Sequence, residues 1–298
     1  RTVLFCSLDA RVMVMTMPDL ETLYLKRSRA TTVHYVYVFH SLVSSHAIYP
    51  KSAFWHYDSI LCAGPHHVAE LRKTEEVYGL PPRRLVETGY GRLDALLQGP
   101  RPGLPTEGPL RVLVAPTWGP HGLLETRGEE ITEVLLEAGF LTTVRPHPMT
   151  GRRHPKVIRG LCQRFQGHPR FRFEDDVALS DSLLQSHIMV TDWSGAALEF
   201  AFAFERPVLF VDVPRKVRNP EYERLGLEPV EVSLRTRLGA ILSLDRLPEI
   251  GRSLQDLWLN RDAIRVSIRE AARETVYNPG TSGAAGARYI ESLLGGAA

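Results

Sequence analysis

Apolar positions fall in short blocks separated by longer amphipathic stretches, and the blocks recur along the whole chain. Residues 3–6, 12–15 and 35–39 are apolar, β-branched or aromatic runs that predict strands. Residues 57–62 predict a strand running into the turn Ala63-Gly64-Pro65, and 66–78 has helical period, closed by Gly79 with Pro81-Pro82 beyond it. Residues 85–94 read as a short strand, a glycine turn and a short helix. The alternation restarts with a buried strand over 110–115, a helix over 128–138 and a strand over 141–144. A helix rich in basic residues (Arg152, Arg153, Lys156, Arg159) comes next, with Arg152-Arg153-His154 as its solvated start, and then a short strand over 171–173.

The stretch around which the rest is organised is 187–211. His187-Ile188-Met189-Val190 reads as a buried strand and Thr191-Asp192-Trp193-Ser194-Gly195 as a tight turn. Leu198, Ala201 and Phe202 return at helical spacing until Arg206-Pro207 breaks the helix, and 208–211 begins another strand. Strand, turn, helix, strand is one unit of a parallel α/β sheet. In its plainest reading the turn is a helix cap with Asp192 or Ser194 as N-cap. Residues 239–298 read as mainly helical, with a terminal helix over 284–294 after Asn278-Pro279-Gly280. The proline- and glycine-dense segment 99–109 excludes regular structure and marks a boundary, giving domains over 1–103 and 104–298.

Composition narrows the class. The chain has 298 residues, 44% hydrophobic and 23% charged, enough for two α/β domains with real cores. A formal charge of +2 argues against a nucleic-acid partner. No apolar run reaches the length of a membrane span. Three cysteines, odd in number and far apart, argue against a disulfide framework and lead us to expect a reducing, cytoplasmic setting. The chain opens on Arg1 two residues before an apolar run, so further sequence upstream is expected.

In an open parallel sheet, ligands bind outside the carboxyl ends of the strands. His40, Gly89-Tyr90-Gly91, Pro116-Thr117-Trp118, Arg145-Pro146-His147-Pro148 and Thr191–Gly195 all stand at such ends. Two α/β domains facing each other across a cleft would suit a nucleotide-activated donor in one and an acceptor in the other.

The order of these motifs resembles the CDP-glycerol glycerophosphotransferase family, the teichoic-acid and capsule polymerases of the GT-B fold. Ala115-Pro116-Thr117-Trp118 resembles the family's A-P-T-W segment, Arg145-Pro146-His147-Pro148 its R-x-H-P segment and Thr191-Asp192-Trp193-Ser194-Gly195 its T-D-Y-S-S segment. Glu205-Arg206-Pro207-Val208 resembles the K-P-hydrophobic continuation, and Gly89-Tyr90-Gly91-Arg92-Leu93-Asp94 resembles G-x-P-R-x-D. Val38-Phe39-His40-Ser41 stands where the family has W-H-G, and the run on to His46 departs from W-H-G-x-P-x-K. UDP-GlcNAc 2-epimerases share the fold and a histidine–proline segment, but their later arginine and glutamate signature has only a faint echo in Arg218-Asn219-Pro220-Glu221.

The resemblance implies a GT-B-like α/β protein with two Rossmann-type domains. It implies a transferase that moves glycerol-phosphate or another polyol-phosphate from a CDP-activated donor to a hydroxyl of a cell-surface glycan or lipid-linked acceptor. His40 would be the general base, a task that suits histidine as a residue type because an unperturbed imidazole titrates near working pH. His147 would bond the donor phosphates, Thr191, Ser194 and the Gly195 and Ala196 N–H groups would cradle the diphosphate, and Arg145 would neutralise the leaving phosphate. Glu199 would bind ribose hydroxyls, and Asp192, Thr117, Gly89 and Arg92 complete the substrate- and donor-binding set. No metal or other cofactor is expected: His66-His67 lacks the i, i+4 spacing of helical ligand pairs. The alternatives are a UDP-sugar glycosyltransferase or epimerase on the same scaffold, and a non-catalytic nucleotide-binding domain of a larger polymerase. Peripheral contact of the Arg152-Arg153 region with anionic lipid is a lesser expectation, and homo-oligomerisation is left open.

Overall fold

The computed structural model describes residues 2–22, 24–176 and 181–295. The chain forms two compact units. The first comprises Arg1–Gln98, Val217–Val230 and Arg273–Ala298, and the second Gly99–Lys216 and Glu231–Ala272. The break after Gln98 coincides with the start of the proline- and glycine-rich segment. The two later returns of the chain to the first unit differ from the simple division at 103.

In the first unit, β1 (Val12–Met15), β2 (His34–Val38), β3 (Ser59–Cys62) and β4 (Arg84–Glu87) form a parallel sheet in that order. Helix α2 (Pro65–Tyr78) follows β3, and α3 (Gly91–Gln98) follows β4. β3 is buried at every position, as expected of a parallel strand covered on both faces. One face carries an aromatic cluster in which Tyr37 meets Phe39, Phe54 and Tyr57 at centroid distances of 5.1, 4.7 and 5.2 Å. Residues 3–6, expected as a strand, lie instead in a short helix, α1 (Thr2–Cys6). Ser7 closes it through bonds from its N–H and hydroxyl to the Val3 and Leu4 carbonyls, local bonds that a strand would not make, and the described sheet begins at β1.

The opposite face explains the last return of the chain. Val36 and Leu61 there are covered by Tyr289 and Leu293 of the terminal helix α12 (Ser282–Gly295). Backbone contacts fix its approach: Tyr277 N–H donates to the Ala63 carbonyl at 2.9 Å, and a Cβ at Gly64 would lie 1.7 Å from the Thr275 oxygen. Gly89, at φ +100°, passes as closely under the Tyr277 carbonyl. Asp94, buried on α3, receives Gly280 N–H at 2.7 Å, Ser282 Oγ at 2.5 Å and Gly283 N–H at 3.2 Å. Asp94 therefore caps α12 from outside that helix.

The second unit contains β5 (Arg111–Val114), α4 (Leu123–Glu137), β6 (Leu141–Val144), α5 (Pro148–Arg153), α6 (Pro155–Phe165), β7 (Phe171–Phe173), α7 (Asp181–Gln185), β8 (Ile188–Thr191), α8 (Ala196–Phe204) and β9 (Val208–Asp212). After the excursion through Val217–Val230 come α9 (Val230–Leu238), β10 (Gly239–Ser243), α10 (Ile250–Leu259) and α11 (Arg261–Thr275). Its six parallel strands run β10-β9-β8-β5-β6-β7. Read in chain order from β5, this is the doubly wound 3-2-1-4-5-6 arrangement, whose topological switch point lies between β5 and β8. The core packs Val112, Val114, Val190 and Leu209 against Leu124, Ile131 and Leu135 of α4 and Leu254 of α10.

Three details differ from the sequence expectation. The helix expected from Gly128 starts at Leu123, and the expected start marks a kink, where Arg127 departs from helical geometry at φ −137°. The basic helix is two helices, because Pro155 disfavours the α conformation at His154. Arg152 and Arg153 thus end one helix, and His154 is the N-cap of the next. Finally, β10 is a strand inside a region read as helical, paired in register with β9.

Candidate active site

In the first unit, the loop leaving β2 carries His40, whose side chain is exposed. Tyr90 O–H donates to the His40 carbonyl at 2.9 Å, and the Tyr49 hydroxyl lies 3.4 Å from His40 Nε2. Tyr49 is itself held by its N–H on the Ser45 carbonyl at 2.8 Å and by its ring against Phe54, centroids 5.3 Å apart.

Beneath this loop lies a buried polar cluster. Glu70 of α2 accepts from Ser45 N–H and Ser45 Oγ, both at 2.6 Å, and from His46 N–H at 3.4 Å, all on Oε2. Its Oε1 stands 3.2 Å from His46 Nδ1, while His46 Nε2 is 3.1 Å from the Leu227 carbonyl. Acceptor oxygens thus lie near both nitrogens of this ring. Burial pushes the Glu70 pKa up, but the bond from His46 and the neighbouring histidines outweigh it and hold the group at about 2. His67 is the opposite case. Its Nδ1 accepts from Ala63 N–H and its Nε2 faces the Val43 carbonyl, a single neutral tautomer, and burial depresses its pKa to about 3. Among the described residues no group of three or more His, Cys, Asp or Glu side chains gathers as a metal site. The same loop grips the first return segment: Asn219 Nδ2 donates to the His46 carbonyl, Arg218 and Asn219 N–H to that of Ala47, and Val230 N–H to Ser44 Oγ.

In the second unit, the switch point brings the ends of β5 and β8 together. Asp192 is fully buried there. Its Oδ1 accepts Thr117 N–H at 2.7 Å and its Oδ2 accepts Leu123 N–H at 3.1 Å, so one side chain braces the loop after β5 at both ends. Burial raises its pKa, while those amides and Lys216 act the other way. Thr191 is equally buried, with its hydroxyl on the Ala115 carbonyl at 2.9 Å. Lys216 Nζ donates to Thr117 Oγ1 at 2.6 Å and sits 4.8 Å from the Trp118 ring, which in turn lies 6.0 Å from the His147 ring. His147 caps α5, its Nδ1 accepting Met149 N–H at 3.1 Å, and the flanking prolines hold its backbone rigid. Arg145 is buried, with Nε 3.3 Å from Glu174 Oε1, whose other bond comes from Ser182 Oγ.

At the mouth of α8, Gly195 is the N-cap rather than Asp192 or Ser194. Ser194 Oγ accepts Ala196 N–H at 3.3 Å, which leaves the Gly195 N–H without a hydrogen-bond partner among the described residues. Trp193 is a packing residue: its Nε1–H donates to the Val213 carbonyl at 2.9 Å and Arg235 stacks 4.0 Å above its ring.

A family model of the CDP-glycerol:poly(glycerophosphate) glycerophosphotransferases matches residues 51–216. The chain belongs to that family. It is thus a glycerophosphotransferase enzyme, and the matched stretch contains Thr117, Trp118, Arg145, His147, Asp192, Ser194, Gly195 and Lys216 of the second unit. His40 and Tyr49 precede it. A search of curated proteins finds no match. Among solved structures, a His-to-Asn variant of the wall teichoic acid polymerase TagF aligns with a TM-score of 0.63 at 15% identity, covering 96% of this chain and 74% of that one. The same variant soaked with CDPG gives 0.61 at 15% identity over 96% and 73%. TagF without a substitution gives 0.60 at 16% identity over 93% and 71%. The expected GT-B-like fold, two α/β units each built on a parallel sheet, is the one this glycerophosphotransferase shares with TagF.

The expected site residues of the glycerophosphotransferase divide by what surrounds them. Ser194, Gly195, Ala196, Glu199 and His147 are half-buried at the carboxyl edge of the second sheet. Thr117, Arg145, Thr191 and Asp192 gather at the same edge but are buried, and their polar atoms bind protein. Arg92 is exposed in the first turn of α3, while Gly89 serves the close passage of Tyr277. Sequence reading passed over Lys216, Tyr49 and Tyr90. A signal for Lys216 was available in Arg215-Lys216, a basic pair soon after a buried strand. Tyr49 had none and Tyr90 showed only as part of Gly89-Tyr90-Gly91, because the relation of each to His40 is made only by folding. We expect Asp192→Ala to lower the unfolding free energy by about 2–4 kcal/mol in urea denaturation, because two buried N–H groups lose their acceptor. A change below 0.5 kcal/mol, on the scale of an ordinary surface substitution, would show that the brace is dispensable.

Proposed function

We propose that this glycerophosphotransferase moves glycerol-phosphate, or a related polyol-phosphate, from a CDP-activated donor to a hydroxyl of a cell-surface glycan or lipid-linked acceptor. In this reading the acceptor oxygen forms a bond to the distal phosphorus of the donor as the bond to CMP breaks. His40 takes the acceptor's proton. CMP leaves with the bonding electron pair, and the charge on its phosphate is met by His147, Lys216, the Gly195 N–H and the positive end of α8. Glu199, in the first turn of α8, takes ribose hydroxyls in this scheme. Arg145 acts at one remove in this scheme, since its guanidinium already holds Glu174.

The observation that supports the reading best is the Asp192 brace at the switch point. It sets Thr117, Lys216 and Trp118 beside the Ser194-Gly195 turn, where an open α/β sheet binds its ligand. The test is a thermal-shift series with CDP, CMP, UDP, GDP and ADP, followed by CMP release from CDP-glycerol. A shift selective for CDP or CMP and lost in Ser194→Asp is the expected result. A shift selective for UDP would replace this reading with UDP-sugar transfer.

A further inference from the structure

We propose that Tyr49 is a positioning residue for His40: its phenol oxygen accepts the imidazole Nε2–H, so that Nδ1 is the nitrogen that takes the acceptor's proton. This rests on His40 being the base. A general base must keep one lone pair open to substrate. The Tyr49 hydroxyl stands 3.4 Å from Nε2, with the two rings nearly perpendicular at 80°, and Nδ1 has no hydrogen-bond partner among the described residues. The nitrogen that orients the ring and the nitrogen that reacts are therefore different atoms; a hydroxyl can donate or accept, and the need for an open lone pair on Nδ1 is what makes the Tyr49 oxygen the acceptor.

Tyr49 suits this task because it stays neutral and its backbone and ring are both held. Burial raises its pKa, and of the groups facing it Asp19 adds to the rise while Tyr37 and Arg218 oppose it, leaving a neutral phenol. Its backbone is tied to Ser45, which is tied in turn to Glu70. Tyr90 holds the His40 carbonyl, so main chain and ring are each fixed by a tyrosine. When the acceptor's proton arrives on Nδ1, the ring becomes an imidazolium with protons on both nitrogens. The bond from Nε2–H to Tyr49 is present before and after, so proton transfer needs no rearrangement there.

The test reads the tautomer directly. Long-range proton–nitrogen spectra of the nitrogen-15-labelled chain are recorded above the imidazole titration, and His40 is identified as the signal set absent from His40→Gln. We expect a single Nε2–H tautomer in the unsubstituted chain and a mixture in Tyr49→Phe, which removes one oxygen and keeps the ring on Phe54. CMP release should fall about tenfold in kcat, with the donor KM unchanged. An Nδ1–H tautomer in the unsubstituted chain, or an unaltered tautomer in Tyr49→Phe, overturns the proposal whatever the rate does. Should Tyr49→Phe fail to fold, the first spectrum alone decides. Full turnover in His40→Gln is a different failure: it removes His40 from the reaction without touching the measured tautomer.

Discussion

Glu70→Ala lowers the unfolding free energy of the chain by on the order of 3–5 kcal/mol, the cost of removing one partner from a buried ion pair. The carboxylate serves three donors and stands beside the His46 ring inside the first unit, where Ser45, His46 and Glu70 are all buried. Its loss takes the carboxylate away from His46 Nδ1 and unties Ser45. The loop that carries Tyr49 and the Val217–Val230 segment loosen with it. A matching acid dependence follows. The folded pKa of about 2 lies below the ordinary 4.5, so the contribution of Glu70 is fully present above pH 4.5 and is lost as pH falls from there towards 2. A shift of that size corresponds to roughly 3 kcal/mol. Urea denaturation at neutral pH and across the acid range measures both, and in Glu70→Ala this part of the acid slope should be missing. A variant within 1 kcal/mol of the parent would mean that the cluster is not what holds this loop.

His40→Gln lowers kcat for CMP release by about 10²- to 10⁴-fold, the usual contribution of a positioned base, with little change in the donor KM. Glutamine keeps polarity and bulk but cannot take a proton at neutral pH, so the change tests the proton transfer rather than the shape of the loop. The split between kcat and KM is the informative part. His40 belongs to the first unit, whereas the groups assigned to the donor phosphates belong to the second. His147→Ala should therefore raise the donor KM where His40→Gln does not. Turnover of His40→Gln within tenfold of the parent would remove His40 from the reaction.

How the site could be read from the sequence follows from how each residue is held. His40, His147, Ser194 and Gly195 were visible because they sit at strand ends, and strand ends show in the hydrophobic pattern. Asp192 was visible as a polar residue in the turn, but its task was not. Only the fold places both its oxygens on amides from a loop some seventy residues away in sequence. The same holds for Glu70, an ordinary glutamate in an amphipathic helix until α2 packs against the loop bearing Ser45 and His46.

The sequence by itself determined the α/β class, the alternation of parallel strands and helices and the motifs at the strand ends. All of these depend on neighbours within a few residues, through hydrophobic period, proline and glycine. The tertiary structure decided which strands lie side by side, and hence that β5 and β8 meet at the switch point. It also decided that the chain returns twice to the first unit. The reason for the last return is physical: one face of the first sheet bears Val36 and Leu61, and among the described residues the helical side chains in their cluster are Tyr289 and Leu293 of α12. Contacts across such distances leave no period in the sequence, because what fixes them is the surface each element still has to bury once its local structure has formed.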